Sequence, residues 1–215
     1  MSMKLAGAGI ALTMAATTFS PIAHADDHDA ASYYMRSFAK CVVRGDKTSV
    51  AAVLNAKPGS SQANAEMREI AKQRSGCLKV LGGGGKLKMN SASMRGALAE
   101  QLYLDEFPSA PVAPEASDTP APYQGSGDPD LASYDVAGCM VARDPVDADT
   151  LVRSEVKSDT EKAALIKLGP VLAKCVPTGA KLGFDRELLH GMAAEALWKM
   201  RKEGSQAPAP GTELD

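Results

Sequence analysis

Glu100 and Glu195 are the carboxylates of this 215-residue chain best placed to do chemistry, because each sits in the same local sequence. Arg95-Gly-Ala-Leu-Ala-Glu100-Gln-Leu-Tyr103 is echoed by His190-Gly-Met-Ala-Ala-Glu195-Ala-Leu-Trp198. A helical carboxylate near a cation or an imidazole can act as ligand or general base. Glu100, Glu195 and His190 are therefore the candidate catalytic set of an envelope enzyme with a site between the two segments. Against that reading, five residues span about 500° of helix, so residues 95 and 100 do not share a face well. The preferred reading pairs Glu100 and Glu195 with a neighbouring helix end. Gly96 and Gly191, with Ala99 and Ala194, then let another helix approach closely. Tyr103 and Trp198 become core anchors at helix ends.

Three further patterns touch on chemistry. Cleavage after Ala25 would expose an amine followed by Asp26, Asp27 and His28, and an amine, two amide nitrogens and a third-position imidazole can hold Cu(II) or Ni(II) in a square plane. Such termini are common, and no metal or cofactor is assigned to this one. The run Gly82 to Gly85 before Lys86 has the look of a phosphate loop, but Leu87 stands where Ser or Thr should bind magnesium. Arg44-Gly45-Asp46 reads as a helix C-cap followed by an N-cap. Beyond position 25 only His28 and His190 remain as histidines, and no nucleophile–base pairing is legible.

These side chains need a scaffold, and the cysteines outline it. Cys41 and Cys77 are 36 positions apart, as are Cys139 and Cys175, and the chain has no others. Shifting the chain by 98 lays Cys41 on Cys139, Val43 on Val141, Asp46 on Asp144, Ser60 on Ser158 and Cys77 on Cys175. A shift of 95 aligns the helix-four segments, the change falling at Gly82 to Gly85. The pattern predicts a tandem duplication, and with it the pairing Cys41–Cys77 and Cys139–Cys175. No CxxC or CxxCH motif supports redox chemistry or covalent haem.

Residues 1–25 read as a secretory signal, with Lys4, an apolar run from Leu5 to Phe19 and the cleavage site Ala23-His24-Ala25. Export to a periplasm or beyond makes disulfides expected, and no later run is apolar enough to span a membrane. Without Lys4 the chain carries 23 basic and 26 acidic residues, a net of −3, which argues against generic nucleic-acid binding. Residues 30–103 hold 12 Lys/Arg against 4 Asp/Glu, whereas residues 104–130 hold six acids and no base. That basic excess is either a solvated surface crossed by the acidic linker or a face for an anionic envelope component or acidic protein.

Apolar spacing of 3.6 and repeated capping signals predict an all-α fold, with about four helices in each small, disulfide-stapled unit. The expected organisation is signal 1–25, helical copy 26–106, Pro-rich acidic linker 107–130, helical copy 131–203 and a disordered tail 204–215. Expected N-caps are Asp46, Ser60 or Ser61, Asn90 and Asp144, with a capping box at Ser158–Glu161. Met89 and Phe184 are expected hydrophobic staples. Gly169-Pro170 is expected to kink or split its helix, and the third helix to stop at about Ser75 with Cys77 just beyond.

The segments Arg95–Tyr103 and His190–Trp198 resemble helix ends of exported bacterial helical proteins of unknown function. The resemblance implies no activity. The expectation is a non-enzymatic, exported binding or structural module, its ligand an unidentified protein or anionic envelope component, with the two copies able to dock on each other.

Overall fold

The computed structural model describes residues 25–79, 90–112, 125–177 and 185–206. Among them every regular element is helical, as the apolar spacing requires. In order these are α1 (Ala25–Gly45), α2 (Lys47–Asn55), α3 (Ser61–Gln73), α4 (Ser75–Lys79), α5 (Ser91–Glu106), a 3-10 turn (Pro129–Leu131), α6 (Ala132–Arg143), α7 (Pro145–Arg153), α8 (Asp159–Cys175) and α9 (Arg186–Gln206).

Local chemistry sets the boundaries. One residue joins α1 to α2 and one joins α6 to α7: Asp46 and Asp144. Each carboxylate caps the helix it precedes, accepting from Ser49 N at 3.1 Å and from Asp147 N at 3.0 Å. Pro145 stands at the first position of α7, where a missing N–H costs nothing. Ser60 and Asn90 cap α3 and α5 as expected. The turn after α2 uses Gly59 at φ +75°, and the matched turn after α7 places Lys157 at φ +66°.

Several expectations need correction. The third helix ends at Gln73, and the chain re-enters helix at Ser75, so Cys77 lies inside α4. The break is at Arg74, whose guanidinium donates to Gly45 O at 2.7 Å and reaches Asp46. Those contacts hold it to the α1–α2 joint and leave its backbone off the helical path. Helix α8 continues through Gly169-Pro170 instead of splitting. Ile166, Gly169 and Pro170 are all exposed there, so water can take the carbonyl that proline leaves without a donor. In the Ser158–Glu161 box Ser158 Oγ accepts from Glu161 N at 3.1 Å, but Glu161 Oε2 accepts from Lys157 N at 2.7 Å in place of the cap's own N–H. The expected staples Met89 and Phe184, and the Gly82–Lys86 run, lie outside the described residues.

Both disulfides form as paired by the sequence, Cys41–Cys77 and Cys139–Cys175, with Cα atoms 5.8 and 5.7 Å apart. Cys41 and Cys139 each stand four residues before the end of helix one of their segment; the first bridge ties α1 to the short helix α4, and the second ties α6 to the last residue of α8. Around these staples α1 and α2 pack on α5, and α6 and α7 pack on α9. The most extensive helix pair is α5 with α9, and one hydrophobic core runs from Phe38 and Leu54 through Leu98 and Leu102 to Leu151 and Leu197. Helix α5 is buried around most of its circumference, as a central helix must be.

Candidate functional site

The polar candidates converge on the α5–α9 crossing. Gly96 and Gly191 touch there backbone to backbone: a Cβ on Gly96 would lie 2.9 Å from Gly191 Cα, and one on Gly191 would lie 2.4 Å from Gly96 Cα. Farther along, Tyr103 meets Arg201 and Glu106 meets Trp198, so the two helices run in the same direction. No side chain larger than hydrogen fits at this contact, which explains glycine in the middle of two helices despite its penalty.

The close approach sets up two reciprocal polar pairs. Arg95 Nε and Nη2 donate to Glu195 Oε2 and Oε1, each at 2.7 Å. At the matched positions His190 Nδ1 lies 3.3 Å from Glu100 Oε2. Residue 95 of one helix thus meets residue 195 of the other, and residue 190 meets residue 100. This is the reciprocity of an isologous interface, here within one chain. Five positions do not share a helix face, and the pairing crosses between helices instead.

Arg95 does more than neutralise Glu195. Its Nη1 donates to Val53 O at 2.6 Å, and Nη2 donates to Leu54 O at 2.9 Å and Ala56 O at 3.0 Å. These are carbonyls at the C-terminal end of α2, which has no later N–H to satisfy them. His190 is too short to repeat this at α7. There Ser154, at the position matched to Ala56, donates its hydroxyl to Leu151 O at 2.6 Å, the carbonyl matched to Val53.

Helix one of each segment completes its pair. Arg36 Nη2 sits 3.2 Å from Glu100 Oε2 and 3.3 Å from His190 Nδ1. At the matched position Tyr134 places its ring 5.9 Å from the Arg95 guanidinium. Burial, reinforced by the Glu195 carboxylate and opposed by Arg95, pushes the Tyr134 hydroxyl up to about 12. Lys199 adds a third cationic donor to Glu195, at 2.7 Å. His190 Nε2 is buried and has no hydrogen-bond partner among the described residues.

A second polar cluster closes the far end of the helix pair. Tyr103 Oη donates to Asp149 Oδ1 at 2.5 Å, and Arg153 Nε lies 2.8 Å from Asp149 Oδ2. Burial and this hydrogen bond raise the Tyr103 hydroxyl above its ordinary range. Arg153 and Arg201 then donate to Phe107 O at 2.5 Å and Ser109 O at 2.6 Å, clamping the stretch that leaves α5 onto the second segment. Trp198 Nε1 donates to Glu106 Oε2 at 2.9 Å.

The chemistry this permits is limited by its own contacts. Both oxygens of Glu195 already take cationic donors. Glu100 Oε2 faces Arg36 and His190, and its Oε1 accepts from Gln101 at 3.3 Å. Glu195 lines an open groove beside Tyr134, whereas Glu100 and His190 are packed into the crossing. Asp26, Asp27 and His28 fall in the first turn of α1, and their side chains lie outside those described. No group of three or more His, Cys, Asp or Glu suited to a metal ion occurs among the described residues.

Arg36, Tyr134, Asp149, Arg153 and Arg201 were not legible as site residues. The signal available for the first two was their match under the 98-residue shift, a cation laid on a ring. In sequence, Arg36 reads as a surface charge on the flank of an apolar stripe. The chain matches no protein-family model, no curated protein and no solved structure.

Proposed function

We propose that this chain is an exported, periplasmic, non-enzymatic binding or structural module, built by duplication of one disulfide-stapled helical unit. The observation that carries this reading is the reciprocal pairing at the α5–α9 crossing. The carboxylates and histidine with the best prospect of catalysis are engaged in holding the two segments together. Duplication is supported by the matched disulfides, the matched single-residue joints Asp46 and Asp144, and the reciprocity of residues 95, 96 and 100 with 190, 191 and 195. Export is supported by the signal-like N-terminus and by two bridges that suit an oxidising compartment. Among the described residues no helix is long and apolar enough to cross a membrane.

Part of the basic excess of the first segment is balanced within the fold. Arg36, Lys47, Lys57, Arg74 and Arg95 each face a carboxylate: Glu100, Asp105, Asp128, Asp46 and Glu195 respectively.

Expression of the full chain in a bacterial host tests the reading. The expected product is recovered by osmotic shock, starts at Asp26 and shows both disulfides by non-reducing peptide mapping. An unprocessed chain retained in the cytosol with free thiols would overturn export.

A further inference from the structure

We propose that the groove between α6 and α9 is the docking site for an arginine-bearing segment of a partner polypeptide. The inference deepens the binding-module reading and rests on it. The chain contains its own comparison. Helices α1 and α5 of the first segment form a groove of about 240 Å³ lined by Lys40, Val43, Arg44, Gln101, Leu104 and Asp105. The same positions in α6 and α9 are Gly138, Val141, Ala142, Ala196, Lys199 and Met200, and they line a groove of about 380 Å³. The valine of the floor is kept. Three long polar side chains on the walls are reduced to hydrogen or methyl.

The charge changes along with the volume. Lys40 and Arg44, two exposed cations, have no counterpart in the second groove. That groove instead gains Asp135 and Glu203, where the matched residues of the first segment are Ser37 and Pro108. Among the described residues Asp135 Oδ2 accepts only from Ser126, at N (2.9 Å) and Oγ (2.8 Å). Neither Asp135 nor Glu203 has a basic partner among the described residues. The one cation among the described residues that line the groove, Lys199, is held by Glu195.

Lys199 replaces Leu104 and Met200 replaces Asp105. The charged lining thus changes from two cations and one carboxylate to one cation and three carboxylates, Asp135, Glu195 and Glu203, which is complementary to a basic side chain arriving from outside. Met192 and Met200 offer polarizable, adaptable walls for its methylenes. Tyr134, whose ring meets the Arg95 guanidinium at 5.9 Å, also lines the groove, where an aromatic ring can receive a planar guanidinium and a carboxylate can take that group in two parallel bonds. Those last two features favour arginine over lysine.

The test uses the purified full chain with both disulfides formed and ¹³C-labelled methionine methyls, at physiological salt. The probes are acetyl-Leu-Arg-Leu-amide and acetyl-Leu-Glu-Leu-amide. Expected are saturable shifts of the Met192 and Met200 methyls with the arginine peptide and none with the glutamate peptide. Ala142→Arg, which restores the first segment's residue at an exposed position, should weaken binding at least about tenfold, as should Asp135→Asn with Glu203→Gln. Circular dichroism confirms that each variant is folded. Absence of saturation, an equal response to the glutamate peptide, or unchanged affinity in Ala142→Arg would overturn the groove assignment and leave the module reading standing. Saturable binding accompanied by hydrolysis of the peptide would keep the groove and overturn the non-enzymatic reading.

Discussion

Gly191 rests on Gly96 so closely that a methyl group on either would enter the other's backbone. The obstruction is worse from Gly191, whose Cβ would lie 2.4 Å from Gly96 Cα, than from Gly96, at 2.9 Å from Gly191 Cα. Neither neighbour is a flexible side-chain end, so the helices must separate to admit it. Gly191→Ala should destabilise by about 1–3 kcal/mol despite alanine's better helix propensity, with Gly96→Ala the milder of the two. Urea denaturation of the two variants checks both the sign and the order.

Arg95 is 2 % exposed and bonds to Glu195 and to three α2 carbonyls at once. Removing it leaves a buried carboxylate with only Lys199 and opens the end of α2. Arg95→Ala should cost about 3–5 kcal/mol, whereas exchanging both Arg95 and Glu195 for methionine should cost far less, because no buried charge is then left alone. A double-mutant cycle read by chemical denaturation should show strong coupling. Additive losses would contradict the pairing.

Each disulfide closes a separation of 36 residues and should stabilise by roughly 3.5–4 kcal/mol in the chain-entropy account. Replacing Cys41 and Cys77 together by serine should lower stability by that order, and reducing both bridges should lower it further. Because one core joins the two segments, the whole chain should lose stability in a single transition. Two well-separated thermal transitions in the serine variant would contradict that shared core.

The Tyr134 hydroxyl is raised from its ordinary value of 10.0 to about 12, first by burial and then by the Glu195 carboxylate. A raised folded value means that the folded chain holds this proton after the unfolded chain has released it. Its contribution to stability is full below pH 10 and is lost as pH rises through about 12. Tyr134→Phe should remove that part of the alkaline loss. Absorbance titration should show one late-ionising phenol fewer than in the unsubstituted chain.

Asp46 caps α2 through Ser49 N, and that backbone bond, aided by Arg74 against some burial, lowers its carboxyl below the ordinary 3.8. A depressed folded value gives stability that is present above the unfolded value and lost as pH falls through the folded one. Asp46→Ala should cost about 1 kcal/mol at neutral pH and less under strong acid, where the native carboxyl is protonated anyway. Denaturation midpoints at pH 7 and pH 2.5 provide the comparison.

Much of the architecture was legible because it is local. Apolar spacing marked the helices, Asp46, Ser60, Asn90 and Asp144 marked their starts, and equal cysteine spacing marked the bridges. The misreadings arose where tertiary surroundings overrode the local signal. Arg74 breaks α3 through contacts with Gly45 and Asp46, which are 29 and 28 positions away in the chain. Pro170 is tolerated because its helix face meets water.

The sequence by itself determined which residues recur, Arg95 or His190 with Gly96 or Gly191 and Glu100 or Glu195, and that a helix must pass close to the glycines. Only the tertiary structure decided that each of these helices is the other's partner. A pairing between residues 100 positions apart leaves no trace in helical spacing, which records the face a residue occupies and not what lies across from it. The α6–α9 groove was hidden for the same reason. Gly138, Ala142 and Ala196 are unremarkable small residues in the chain, and they become an opening only where two helices bring them to one wall.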